Sequence, residues 1–423
     1  MTVVTPAEFP RPLAARFFTR GTLVLSALAL LGIAGYLYRL LFGLRAATHL
    51  SQGYPWGLWI SVDVASGVAL AAGGFTTAAL IEIAGRQRYH RLLRPALLTA
   101  MLGYTFVVIG LLADLGRYYN VWHPMLPGMW QGSSVLFEVG ICVMIYLTVL
   151  YIEFMPIVIE RFRGRVALPG ALHILNRPLD GALGLADRFL GRFLVLFILA
   201  GVVLSCLHQS SLGTLMLIAP YKMHPLWYTP ISPLLFLLSA IAVGFPMVIF
   251  ESLLAARSFK LPAETKLLAS LARFTPILLG LYLSVKIIDL TLRGAWGHLG
   301  TGSIESVMYL IETIGGVVVP MLLLSMHRVR RSARGLLGAA SLVIAGVILN
   351  RINVFLVAYR PRFAAQPYFP SVLEIAVTVG LVSALVLVYR LLVMIFPVVT
   401  PDDAPGPSAF GGGAPRVVPE TLR

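Results

Sequence analysis

Residues 133–159 read SSVLFEVGICVMIYLTVLYIEFMPIVI, an apolar run long enough to cross a bilayer that nevertheless carries two carboxylates, Glu138 and Glu153. Fifteen residues of helix rise about 22 Å and turn through a net angle of roughly 60°, so both acids lie close to one face. A carboxylate in the hydrocarbon region costs a few kcal/mol or more and normally faces a cavity or a partner. The competing reading is a helix-end acid that snorkels to the headgroups, and it fits Glu153 better than Glu138.

The rest of the chain suits a helix of this kind. Of 423 residues, 58% are hydrophobic and only 12% charged, and the mean hydropathy is +0.86. A soluble domain carries about a quarter charged residues, so a soluble fold is excluded. Apolar segments long enough to span recur at about 21–42, 56–84, 95–116, 133–159, 189–214, 230–256, 270–292, 304–327, 335–358 and 371–396. The expected fold is all-α, a polytopic membrane protein of about ten transmembrane helices. Residues 1–20 form a polar, Arg-bearing segment in which no cleavable signal is expected. The membrane domain covers 21–396. Residues 397–423, rich in Pro, Gly and Ala, read as a disordered tail. Cys142 and Cys206 both fall in apolar runs, as inert core cysteines do.

The formal charge of +15 would suit a nucleic-acid binder, but the placement of the charge argues for a membrane instead. Most of the 33 lysines and arginines alternate onto one end of the helices, among them Arg16, Arg20, Arg86, Arg88, Arg161, Arg163, Lys260 and Arg330. The positive-inside rule then puts both termini in the cytoplasm. The opposite loops are aromatic and Pro-rich, for example RYYNVWHPMLPGMWQGSS (117–134) and APYKMHPLWYTPIS (219–232). All six tryptophans (Trp56, Trp59, Trp122, Trp130, Trp227 and Trp296) lie at this outer end. A lipid belt would decorate both interfaces, so the asymmetry points to a braced surface that receives a partner protein or a flat ligand.

On this topology the intramembrane ionisable residues fall into two layers. Asp63, Asp114, Glu138 and His208 lie towards the outer side, with Tyr104 a little deeper; Glu82, Glu153 and Glu251 lie towards the inner side. Two helices each carry an outer and an inner acid, a pattern that suits a proton relay. Lys286 and Asp289, three apart on one helix, are expected to pair with each other. A b-type haem needs two axial histidines at one depth, and only His208 among eight lies at membrane depth, so no haem is expected. No metal-spaced His/Cys cluster, phosphate loop or nucleophile motif is present. Two classes remain: a protein that handles a small hydrophobic redox carrier such as a quinone, and an ion-coupled secondary transporter. A passive membrane anchor for a redox complex is a third.

Several stretches resemble the membrane subunit of respiratory nickel–iron hydrogenases, within the NrfD/polysulfide-reductase superfamily. They are GYPWGLWISVDVASGVALAAGG (53–74), RPALLTAMLGY with DLGRYYN (94–120), residues 133–156, LHQSSLGTLM (207–216), YKMHPLW (221–227), FPMVIFES (245–252) and AYRPRFAAQPYFPS (358–371). The resemblance runs from about residue 40 to residue 396. It implies two four-helix bundles plus flanking helices in a bacterial inner membrane, with no prosthetic group on this chain. It implies a ferredoxin-like iron–sulfur subunit docked on the outer, periplasmic face, with catalytic subunits such as a nickel–iron hydrogenase beyond it. Electrons would pass between that subunit and menaquinone or ubiquinone, and many members are thought to move protons as well. Carried over by position, Asp114 and His208 fall in the quinone head-group region with Tyr104, and Trp130 joins them from the aromatic loop. Glu138 would exchange protons with the quinone, and Glu153, Glu251, Glu82 and Asp63 would form the relay.

Overall fold

The computed structural model describes residues 12–364 and 366–399. Ten helices among them are long and apolar enough to span a membrane. They are α1 (Arg20–Phe42), α2 (Trp59–Ile83), α3 (Gln87–Asp114), α4 (Val135–Phe162), α5 (Leu172–Ile218), α6 (Ser232–Phe259), α7 (Thr265–Leu292), α8 (Ile304–Ser325), α9 (Ala333–Val357) and α10 (Val372–Ile395). In lipid every backbone polar group must be satisfied within its own segment, which is why such apolar runs fold as helices. Their starts are marked chemically: Thr19, Ser134, Ser303, Ser332 and Ser371 each cap a helix, and Ser371 forms a full capping box with Glu374. The helices match the expected spans to within a few residues except at α3, which starts eight residues early at Gln87, and at α5. That helix continues back to Leu172, because residues 172–188 hold a helical apolar period outside the span. Most of the expected tail lies outside the described residues; its first residues pack down, with Arg94 donating to the Pro397 carbonyl at 2.9 Å.

The helices associate as two closed rings of four. In the first, α2 packs on α3, α3 on α4, α4 on α5 and α5 on α2; the second repeats this with α6, α7, α8 and α9. The rings join through α2 against α6 and α9, and through α5 against α6, while α1 and α10 pair and flank α3. Since lipid supplies no hydrophobic drive between helices, close approach must come from small residues. Gly32 of α1 crosses Gly380 of α10, and Gly316 of α8 crosses Gly346 of α9, each with no room for a Cβ. Gly316→Val is therefore expected to open the second ring and lower the unfolding temperature in detergent by several degrees, whereas Gly338→Val, which faces open space, leaves it unchanged.

Helix α2, at the junction of the rings, is irregular. Trp59–Ser66 and Ala79–Ile83 are wound as π-helix, and a tight turn interrupts the helix at Ala71–Ala72. There Ala72 N–H bonds to the Ala69 carbonyl and bypasses Val68. Gln209 of α5, fully buried, donates its Nε2 to that freed Val68 carbonyl at 2.7 Å. Gln209 thus supplies the donor that the turn takes away from Val68. Gln209→Leu is expected to destabilise the protein by about 1–3 kcal/mol, read as a loss of thermal stability.

Candidate functional site

The first ring carries a file of polar side chains along its interior face between α4 and α5. At its aromatic end Ser211 of α5 donates to Glu138 Oε1 at 2.5 Å. One turn deeper, His208 Nδ1 lies 3.2 Å from the Tyr104 hydroxyl of α3, and Tyr146 of α4 meets the Tyr104 ring edge-on at 4.6 Å. His208, Tyr104 and Tyr146 are all buried. Deeper still, Glu153 is buried against Gly201 of α5, where any Cβ would overlap its Oε1. Glu138 and Glu153 therefore do share one face of α4, and it is the face towards α5. Their positions differ: Glu138 remains exposed near the helix start, and Glu153 is 7% exposed.

Two buried polar atoms on α5 in this file have no hydrogen-bond partner in the protein, His208 Nε2 and Gln209 Oε1, while Ser205 Oγ lies beside the Tyr104 and Tyr146 hydroxyls. Orphaned polar atoms are uncommon in buried sites, and two on neighbouring residues mark a place where another molecule can complete the bonding. Tyr146 was not singled out from sequence; its spacing of eight residues from Glu138 and seven from Glu153, close to helical repeats, is the signal that would have found it.

Asp114 lies elsewhere. It is ten residues from Tyr104 on α3, about 15 Å along the axis, and it belongs to a second polar cluster among α1, α2, α3 and α10. Arg39 of α1, 1% exposed, bonds the Ala113 and Leu115 carbonyls on either side of Asp114 and lies over the Tyr118 ring. Asp63 of α2 accepts from Thr378 at 2.6 Å and packs against Gly110. Glu374 accepts from the Ser371 N–H at 2.8 Å and from the Tyr368 hydroxyl, and its own carbonyl takes Trp59 Nε1 at 3.2 Å. Burial, together with the bond to Glu374, pushes the Tyr368 hydroxyl well above the ordinary tyrosine range.

The second ring holds a network that a span-by-span reading misses. Lys286 of α7 pairs with Glu312 of α8 at 2.5 Å, and the expected Lys286–Asp289 pair does not form. Asp289 bonds instead to Arg293 at 2.6 Å and to Thr229 at 2.6 Å. A residue three along the same helix offers one geometry, whereas a carboxylate from the facing helix meets the ammonium directly. Glu312 accepts four bonds in all, from Lys286, Asn350 (2.8 Å), Asn353 (2.8 Å) and Trp227 (2.9 Å). The helix is wound as π-helix at both Glu312 and Asn353, a distortion common where polar side chains must converge. Arg351, fully buried, bonds Asn350 and Ser239 and covers the Phe236 ring at 3.7 Å. The acid of this network is saturated, while Arg351 Nε, Asn353 Oδ1 and the Tyr309 hydroxyl are buried without a partner.

At the aromatic end four of the five loops contact one another. His224 N–H bonds the Ala358 carbonyl at 2.8 Å, His224 and His298 rings lie 5.4 Å apart, and His49 contacts Phe369. Burial lowers the His224 pKa below the ordinary imidazole value. The tryptophans divide into two kinds. Trp59 and Trp227 are buried and bonded to α10 and α8, with Trp56 half-buried against Phe355 and Tyr359, while Trp122, Trp130 and Trp296 are exposed. Trp130 is fixed by a bond to the Pro124 carbonyl at 2.9 Å, with its ring beside Phe137 and so close to Glu138. Phe363 and Phe369 also stand out from this face. At the opposite, basic end Glu82 is half-buried in the last turn of α2 and Glu251 is buried on α6.

Residues 47–364 match the family described as polysulphide reductase, NrfD. The chain belongs to that family. Within it, the chain is similar to the probable Ni/Fe-hydrogenase 2 b-type cytochrome subunit of Escherichia coli (31% identical, covering 93% of this chain and 95% of that one). It is also similar to a protein of Nitratidesulfovibrio vulgaris (37%, covering 90% and 94%). Part of it matches the menaquinone reductase, integral membrane subunit, of the same organism (30%, covering 42% and 38%). The name of the E. coli relative raises a haem. The residues here do not fit one: His208 faces Tyr104 and Tyr146, and every other histidine sits in a loop or at a helix end.

Proposed function

We propose that this NrfD-family protein is the quinone-exchanging membrane subunit of a respiratory oxidoreductase complex in a bacterial inner membrane, with both termini cytoplasmic. The observation that carries this reading is the orphaned His208 Nε2, buried beside Tyr104, with the unpartnered Gln209 Oε1 on the same helix. A quinone brings an apolar ring and two oxygens that need donors, and it takes up two electrons and two protons as it becomes quinol. His208 and Tyr104 bind and orient one oxygen. Glu138, held by Ser211 on the aromatic side of the same file, exchanges the proton with that side. Glu153, about 22 Å along α4, leads the inner relay with Glu82 and Glu251. Asp114 and Asp63 serve proton exchange from the neighbouring cluster beside Arg39. The relatives named as hydrogenase and menaquinone reductase membrane subunits support this reading.

Electrons arrive from a ferredoxin-like iron–sulfur subunit seated on the aromatic face, where Trp122, Trp130, Trp296, Phe363 and Phe369 offer exposed rings, and catalytic subunits of hydrogenase type lie beyond it. The test is purification of the intact complex through this chain. Redox subunits should co-purify, and their electron donor should reduce a soluble quinone analogue only when this chain is present. Substrate flux by the chain alone in vesicles, with no redox subunit recovered, would make it a transporter. Full quinone reduction with His208 and Glu138 both replaced would make it a passive anchor.

A further inference from the structure

A cavity of ≈ 260 Å³ lies at the basic end, far from the file just described. It opens between α1 and α6 and is walled by α3 and α10. Its lining is almost wholly carbon, from side chains such as Leu254 and Phe250, yet three polar groups within it are incompletely bonded. Glu251 is 9% exposed, about 12 Å in from the end of α6; Thr99 and the Tyr389 hydroxyl are its polar neighbours, but neither closes a well-aligned hydrogen bond to its carboxylate oxygens. The Tyr389 hydroxyl is buried and also lacks one. Arg390, nearer the mouth and 8% exposed, bonds Ser258 Oγ at 2.8 Å and the Arg16 carbonyl at 2.6 Å, but its Nε is free. Among the described residues no carboxylate pairs with Arg390. Leaving a carboxylate, a phenol and part of a guanidinium unbonded against hydrocarbon is costly, so a ligand is implied.

The chemistry of that ligand can be narrowed. A phospholipid would satisfy Arg390 with its phosphate, but its acyl chain would lie against Glu251 and Tyr389 and leave both orphaned. Water would satisfy the polar groups and wet an apolar wall, whereas apolar cavities of about 150 Å³ stay dry and take up a hydrocarbon ring. A molecule with a flat apolar ring and an oxygen at each end meets every group at once. One hydroxyl donates to Glu251, an oxygen accepts from Tyr389 or from Arg390 Nε, and the tail leaves between α1 and α6 into lipid.

We propose that this cavity is a second, separate quinol-binding site at the basic end of the helices. Its occupant is a para-dihydroxy aromatic head with an isoprenoid tail, bound without electron transfer. The site does not depend on the assignment made at the aromatic end.

The full chain in lipid nanodiscs can be titrated with 2-heptyl-4-hydroxyquinoline N-oxide, a quinol analogue whose fluorescence is quenched on binding. Quinone and phospholipid retained by the same preparations are then quantified by mass spectrometry. Leu254→Trp, which fills the cavity without touching a polar group, and Glu251→Leu should each abolish one equivalent of binding and the quinone retained with it. His208→Leu should leave that equivalent intact. Should His208→Leu abolish another equivalent and leave this one, both sites stand. Binding lost only in Leu254→Trp and Glu251→Leu would support the basic-end site and remove the aromatic-end one. Unchanged binding in Leu254→Trp and Glu251→Leu overturns the proposal, and so does loss of phospholipid alone.

Discussion

Glu138→Gln is expected to give a protein that assembles with its partners normally but reduces quinone about 10²-fold more slowly or worse, measured as donor-driven quinone reduction by the purified complex. Glutamine keeps the size of the side chain and an oxygen to accept the Ser211 hydroxyl, so the local bonding survives. What it loses is the ability to take up and release a proton. Glu138 is exposed where the polar file meets the aromatic end, while Tyr104 and His208 sit fully enclosed behind it. The enclosed pair needs an exchangeable neighbour, and Ser211 and His208, three residues apart on α5, link the two. Activity equal to wild type would remove Glu138 from the mechanism.

The second large effect concerns stability. Lys286→Met is expected to destabilise the protein by about 3–5 kcal/mol, because it strands the Glu312 carboxylate in the interior of the second ring. Both side chains are almost completely buried, at 6% and 2% exposure, so solvent does not screen the loss. Adding Glu312→Gln should recover most of it, since the neutral amide still accepts from Asn350, Asn353 or Trp227. Thermal unfolding of the single and double variants in detergent tests this. A single variant as stable as wild type would mean that the acid is already protonated or reached by water.

How much of this is legible in the sequence depends on the kind of interaction. The spans are legible because each must be about 20 apolar residues long whatever it packs against, and the Glu138–Glu153 face follows from helical repeat alone. The resemblance motifs supplied the two-ring arrangement. Pairing across helices is not legible: Lys286 finds Glu312 on α8 rather than Asp289 three residues away, and nothing in the local sequence favours the distant partner. Glu312 is not conspicuous in the sequence because α8 reads as an ordinary apolar span in which two acids, Glu305 and Glu312, are offset by high hydropathy. Asp114 and His208 are expected in one layer, yet Asp114 lies about 15 Å along α3 from the Tyr104 that His208 meets, because sequence bounds a span but does not fix its depth or rotation against its neighbours. The extension of α5 back to Leu172 was obscured by Arg177, Asp180, Asp187 and Arg188, which end an apolar window without ending a helix.

The central claim is that quinone enters the file formed by α3, α4 and α5 at the aromatic end. Photolabelling of the active complex with an azidoquinone, followed by peptide mapping, tests it most directly. The account predicts label on the peptides around Glu138–Tyr146 and Ser205–Ser211, diminished by excess quinone and lost in His208→Leu. Label absent from both peptides, in a preparation that still turns over quinone, would contradict it.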